Sequence, residues 1–330
     1  MNREKLEEQK EERAYFSIPS TKAKKKKPWL NIILFLATVF STFFVGIILA
    51  ANFLLSEVIS SDIEIKQSIE VFQNPDIILL AIAYSATLMG ILLAHELGHY
   101  LTCRHYKILA TLPYFIPAPT IIGTFGAFIR IKSPITEKKA LFDIGIAGPL
   151  SGFFLSLPAL IYGLSVSKVT PSIPSKETIV FGDPLILQII AKLIFKNIPL
   201  ESGIILHPVA FAGWIGILVT SFNLFPVGQL DGGHIAYSIF GKKAFVIARV
   251  FFILFIVLGV FFWIGWFIWA FIIFLMGLKH PRIIDEKTPL SFKRKLLSVL
   301  ILIIFVFSFM PAPIKGYNLF DIIQQFFGFY

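Results

Sequence analysis

Two histidines and a glutamate, His95, Glu96 and His99, stand inside the apolar run "LLAHELGHYL" from Leu92 to Leu101. Positions four apart on an α-helix lie about 40° apart around the axis and one turn along it, so both imidazoles address the same point. Glu96, one residue on, can present a carboxylate to a water at that point. H-E-x-x-H at this spacing is the minimal scaffold of a zinc hydrolase, with two ligands, a general base and no third ligand. Simple helix packing is the bland alternative for two histidines on a buried face. It leaves unexplained why three polar groups share a run this apolar, where each is costly and functional by default.

The elements that position them are membrane helices. Of 330 residues, 56% are hydrophobic and 15% charged, and the mean hydropathy is +0.79. That is too apolar for a soluble globular domain and points to an integral membrane protein. The net charge of +10 is concentrated in short blocks such as "KAKKKK" at Lys22 to Lys27, a pattern of membrane topology or lipid headgroup contact rather than of nucleic acid, which is not expected as a partner. A single cysteine, Cys103, excludes an intramolecular disulfide. The polar first 28 residues do not read as a secretory signal.

Hydrophobic runs of roughly 20 residues divide the chain into a basic cytosolic tail (residues 1–28), a first span (29–55), a core segment holding the H-E-x-x-H helix, a Gly-rich loop and a third helix (77–166), and an external loop (167–206). A second core segment ending in "LDGGH" (207–234), two spans within 235–278, a basic cytosolic loop (279–295) and a last span with its tail (296–330) complete it. The reading is an all-α polytopic membrane protein of about seven spans, with a membrane-dipping Gly-rich loop between the second and third. Basic loops on the cytosolic side require a cytosolic N-terminus. No internal repeat supports a transporter of two inverted halves.

The missing ligand must be an Asp, Glu or His at matching depth. His95 lies 18 residues beyond Ile77, about 27 Å along the axis, a few ångströms inside the cytosolic face. A later span runs in the same direction and ends in "NLFPVGQLDGGH", Asn223 to His234. Pro226 breaks that helix and Gly228, Gly232 and Gly233 permit tight turns, delivering Asp231 to the same face. His234 is close enough to Asp231 to stay open as a contributor; His105, His207 and His280 read as interfacial.

Together "AHELGHY", "GTFGAFI" (Gly123 to Ile129), "DIGIAGPLSGF" (Asp143 to Phe153) and "HPVAFAGWIGILVTSFNLFPVGQLDGGH" (His207 to His234) resemble the site-2 protease family of intramembrane zinc metalloproteases. The last block is most similar to the branch with plant chloroplast proteins and their prokaryotic relatives. The resemblance implies one Zn2+ per chain held by His95, His99 and Asp231, with Glu96 as the base that activates the attacking water. It makes Asn223 a candidate for holding the substrate or the developing oxyanion, against the alternative of a helix cap. It implies that Gly123, Thr124, Phe125 and Gly126 lie along an extended substrate, although "IIGTFGAFIRI" alternates poorly for a strand; a hairpin without substrate contact is the alternative. Small residues at Ser151 and Gly152 are expected to allow close helix packing.

The implied partners are membrane-spanning protein substrates and the bilayer, and the expected location is a prokaryotic plasma membrane with the site near the cytosol, or else a chloroplast membrane. A non-catalytic zinc-containing receptor or chaperone for membrane helices is the rival function. It gives no use to an acid beside the ligands.

Overall fold

The computed structural model describes residues 28–55, 73–170, 179–196, 202–281, 283–286 and 288–327. Nearly all of the expected cytosolic tail, and most of the acidic loop after the first span, lie outside the described residues. The chain runs α1 (Trp29–Leu55), α2 (Pro75–His105), β1 (Tyr114–Pro117), β2 (Thr124–Phe128), α3 (Lys138–Ser165), β3 (Lys168–Thr170), α4 (Leu185–Ile194) and β4 (Gly203–Ile205). It continues through α5 (Pro208–Asn223), α6 (Asp231–Phe240), α7 (Ala244–Phe261), α8 (Gly265–Met276), α9 (Phe292–Ser308) and α10 (Leu319–Phe327). The fold is mostly helical.

Four runs are long and apolar enough to cross a membrane: Trp29–Leu55, Pro75–His105, Lys138–Ser165 and Asp231–Phe261. The fourth is not one straight helix. Gly241, at φ +56° and ψ −134°, separates α6 from α7, a conformation that costs a residue without Cβ little. The burial pattern is that of a helix in lipid. On α1, Thr38, Thr42, Gly46 and Ala50 face the protein, whereas Ile33, Leu36, Phe40, Phe44 and Ile48 are exposed. Lipid tails are as apolar as Leu, so close packing of small residues and interhelical hydrogen bonds hold such helices together. Gly46 supplies the first, since a Cβ there would stand 2.8 Å from the Ala81 carbonyl oxygen. Thr42 and Ser85 supply the second, with their hydroxyl oxygens 2.7 Å apart.

Helix α5 is the centre of the bundle. Every residue from Pro208 to Leu218 is buried, which is why its sequence is apolar all round and its length is modest. Helices α2 and α3 pack on it and on each other. Gly98 lets α2 meet α3 closely, because a Cβ there would approach the Ala147 carbonyl oxygen to 2.5 Å. Pro149 and Pro158 lie inside α3, where neighbouring helices make such interruptions tolerable.

Two features depart from an all-helical reading. The Gly-rich stretch between α2 and α3 is a β-hairpin, with Tyr114 opposite Phe128 and Phe115 opposite Ala127, and a register shift before Pro117 meets Thr124. The connection between α3 and α5 carries a second small antiparallel pair, β3 with β4, and the short helix α4. The tip of the first hairpin is anchored half-way along α1. Ser41 donates a 2.6 Å hydrogen bond to the Gly123 carbonyl, and Tyr84 of α2 donates one of 2.8 Å to the Ile122 carbonyl.

Candidate active site

Helix α2 presents His95 and His99 toward α3, and both are buried. Their Nε2 atoms are 3.2 Å apart. Asp231 is the first residue of α6, brought there by the turn after α5. Its start is wedged against that turn, since a Cβ on Gly232 would collide with the Leu224 carbonyl oxygen and one on Gly233 with that of Gly228. Asp231 Oδ2 lies 3.3 Å from His95 Nε2 and 3.3 Å from His99 Nε2. The three atoms form a nearly equilateral triangle.

Three donors at the corners of a tetrahedron around an ion bound at 2.0–2.1 Å stand about 3.3–3.4 Å from one another. The observed edges of 3.2, 3.3 and 3.3 Å fit that requirement, and two imidazoles with one carboxylate form a donor set suited to zinc. Among the described residues, this is the group of His, Cys, Asp and Glu side chains able to hold a metal.

The histidine tautomer is set from outside the triangle. His99 Nδ1 donates a 2.8 Å hydrogen bond to the Ile144 carbonyl of α3, leaving the Nε2 lone pair free to face the other two donors. Gly148, one turn further along α3, makes room for that ring, because a Cβ there would overlap His99 Nε2 and stand 2.5 Å from its Cε1. His95 is held differently. Among the described residues its buried Nδ1 has no hydrogen-bond partner, and it faces Gly152, where a Cβ would lie 3.1 Å away.

Glu96, also buried, lies near the Ile129 backbone amide, just past the end of β2. The hairpin therefore flanks the carboxylate. Asn223 closes the other side, with Nδ2 3.3 Å from His95 Nε2. It is the last residue of α5, but its side chain turns to the histidine rather than capping the helix, whose end is met by the Leu224 amide on the Thr220 carbonyl. The structure thus brings His95, Glu96, His99, Asn223 and Asp231 into one cluster.

The other expected site residues divide. Gly123 is packed under Thr42 at φ +88°, and the Thr124 hydroxyl donates across the hairpin to the Ile116 carbonyl at 2.8 Å, so both serve the hairpin itself. Phe125 is 72% exposed, and Gly126 has open space beside it. Ser151 hydrogen-bonds within its own helix, to the Ala147 carbonyl at 2.7 Å. His234 points away from the triangle to His280, at 2.7 Å. The backbone groups of Ile129 and Ile144 escaped sequence reasoning because a main-chain donor or acceptor has no residue signature. Asp143 did carry a signal, as an acidic residue at the entry to an apolar helix.

Residues 83–265 match the family described as Peptidase family M50. An Arabidopsis thaliana protein described as "Probable zinc metalloprotease EGY1, chloroplastic" is 34% identical over 227 residues, covering 66% of this chain and 40% of that protein. Its counterpart in Oryza sativa subsp. japonica is 34% identical over 228 residues, 65% of this chain and 38% of its own. "Probable zinc metalloprotease EGY2, chloroplastic" of A. thaliana is 36% identical over 160 residues, 48% of this chain and 28% of its own. With the matched region enclosing the whole donor cluster, the chain is an integral membrane protein belonging to peptidase family M50. It spans about two-fifths or less of the length of these relatives.

Proposed function

We propose that this chain is an intramembrane zinc metallopeptidase that hydrolyses peptide bonds in or near the transmembrane segments of membrane proteins. The observation that carries the reading is the triangle of His95, His99 and Asp231, with edges of 3.2–3.3 Å, beside a buried carboxylate. Family membership and the zinc metalloproteases it resembles support it.

In this reading His95, His99 and Asp231 hold one zinc ion. When bound, zinc supplies a Lewis acid that lowers the pKa of water toward about 7 and polarises a carbonyl. Glu96 takes a proton from the attacking water and returns it to the departing amine. The Ile129 amide keeps the Glu96 carboxylate in place for both transfers. Asn223 Nδ2 donates to the substrate carbonyl as negative charge develops on its oxygen. A substrate helix has to unwind before its amides can be reached. The exposed portion of β2, Phe125 and Gly126, offers main-chain groups against which the opened segment can lie.

The finer membrane reading is also ours. Helices α1, α2, α3, α5, α7, α8 and α9 are the seven spans, with a cytosolic N-terminus. The β1–β2 hairpin dips into the bilayer, since Thr42, which meets its tip, is 13 residues from Trp29, or about 20 Å along α1. His95 lies ten residues from the end of α2 at His105, about 15 Å, which supports a site on the cytosolic side of the bilayer. A prokaryotic plasma membrane is the expected home, the alternative being a chloroplast membrane.

The test is cleavage of a single-span peptide by the full chain in detergent, with zinc content measured in the same samples. Wild type is expected to cut, and Glu96→Gln to keep its zinc and not cut. Cleavage by zinc-loaded Glu96→Gln protein would remove Glu96 from the chemistry, and a bound but uncut peptide on wild type would favour a receptor.

A further inference from the structure

We infer that Asp143, gripped by Arg294 and Tyr106, is a positioning residue for His99, so that helix α9 braces the metal site from the far end of the chain. The inference rests on the metal-site reading above.

Arg294 forks onto Asp143, with Nε donating to Oδ1 at 2.8 Å and Nη2 to Oδ2 at 2.7 Å. The Tyr106 hydroxyl donates to the same Oδ2 at 2.5 Å, and Arg294 Nη2 reaches the Tyr106 oxygen at 3.2 Å. This clasp joins the end of α2, the start of α3 and the first turn of α9. The next residue along α3 is Ile144, whose carbonyl takes the His99 Nδ1 hydrogen bond at 2.8 Å. Fixing Asp143 in angle as well as distance therefore fixes the carbonyl that orients the ligand. A bidentate guanidinium–carboxylate pair specifies such an angle, which an ammonium acting as a point charge does not.

The connection leading into α9 grips the opposite side of the triangle as well. Glu286 accepts from the Tyr237 hydroxyl of α6 at 2.6 Å, and His280 pairs with His234 of α6 at 2.7 Å. The Asp285 amide donates to the Thr136 carbonyl just before α3 at 3.0 Å. One segment thus bridges the helix that orients His99 and the helix that begins with Asp231. Arg294 lies beyond the family-matched residues 83–265, so the brace comes from outside that core.

The experiment uses the full chain in detergent and reads zinc affinity by chelator competition, together with the visible absorption of the cobalt-substituted protein. Arg294→Ala and Asp143→Asn are expected to weaken zinc about tenfold, the lower end of what outer-shell partners of a metal ligand contribute, and to shift the cobalt bands. Arg294→Lys keeps the charge without the fork and is expected to restore only part of the affinity. Tyr106→Phe removes one hydroxyl and gives a smaller shift of the same sign, covering the case in which a charge deletion prevents folding. Lys315→Ala breaks the Lys315–Asp183 pair of 2.5 Å, which follows the other end of α9, and is expected to move neither readout. Wild-type zinc affinity and cobalt bands in all the clasp variants would overturn the inference while leaving the zinc site intact. A wild-type chain that takes up neither metal would overturn the metal-site reading itself.

Discussion

Gly148→Ala puts a methyl group where the structure has the His99 ring. The added carbon would overlap Nε2 and stand 2.5 Å from Cε1 and 2.6 Å from Cδ2. Carbon–carbon contact is comfortable at about 3.5 Å, so the ring has to retreat by about 1 Å. Its Nδ1 is tied to the Ile144 carbonyl at 2.8 Å, one turn back on the same helix, so retreat also strains that hydrogen bond. Metal–ligand distances tolerate about 0.2 Å, and crowding of this kind costs about 1–3 kcal/mol. Taken from zinc binding, that is about 5- to 150-fold in affinity. The helix itself gains about 0.5–1 kcal/mol from replacing glycine, so the fold is expected to survive. Gly90→Ala is the matched control, because it lies on α2 with nothing within 4 Å of the new methyl group. Zinc content and chelator competition, with circular dichroism for helix content, compare the two in detergent. Wild-type zinc affinity in a folded Gly148→Ala protein would refute the placement of His99 as a ligand in this rotamer.

Asp231→Asn keeps the size of the third donor and removes its charge; zinc is expected to be lost on purification while helix content is retained, as elemental analysis would read. Tyr84→Phe removes the hydroxyl bonded to the Ile122 carbonyl at 2.8 Å, a loss of about 1 kcal/mol. It should raise hydrogen exchange around residues 118–128 without changing bound zinc. Burial lowers the His280 imidazole from its ordinary value of 6.5, against a smaller opposing effect of the Pro281 carbonyl. The unfolded chain then binds that proton more readily than the folded one, so stability is full above about pH 6.5 and falls as pH drops below it. Melting temperatures at pH 7.5 and 5.5 should show the decline, and His280→Gln should make it shallower, the rest coming from His207 and His234, which burial lowers as well.

Much of the site was legible because helical spacing is a local property. The four-residue spacing from His95 to His99 is enough to pair two imidazoles. Asp231 followed from counting depth along two spans that run the same way. Asn223 reads from sequence either as a substrate contact or as a helix cap, and its side chain turns toward His95. The hairpin was harder. Its alternation fails because Gly123 and Gly126 sit at φ +88° and +97° and the register slips between Phe115 and Pro117. A period-two pattern cannot survive those three irregularities. The short helix α5 shows a related effect. A helix enclosed by other helices, as α5 is, needs neither a lipid-matched length nor a polar face, so hydropathy alone leaves its ends blurred.

The brace on the site was invisible for a different reason. Arg294 and Asp143 are 151 residues apart, and nothing periodic links them. Read singly, Arg294 is one more basic residue at the end of an apolar helix, where positive charge is expected on topological grounds. What separates it from its neighbours Lys293 and Lys295 is geometric. The guanidinium and the Asp143 carboxylate are each only about a quarter exposed, and the phenol of Tyr106 is held in its protonated form by burial and by its hydrogen bond to that carboxylate. A topological charge needs only to be in water. One that is forked, partly buried and shared among three helices is fixed in direction, and the direction it fixes belongs to the carbonyl that His99 leans on.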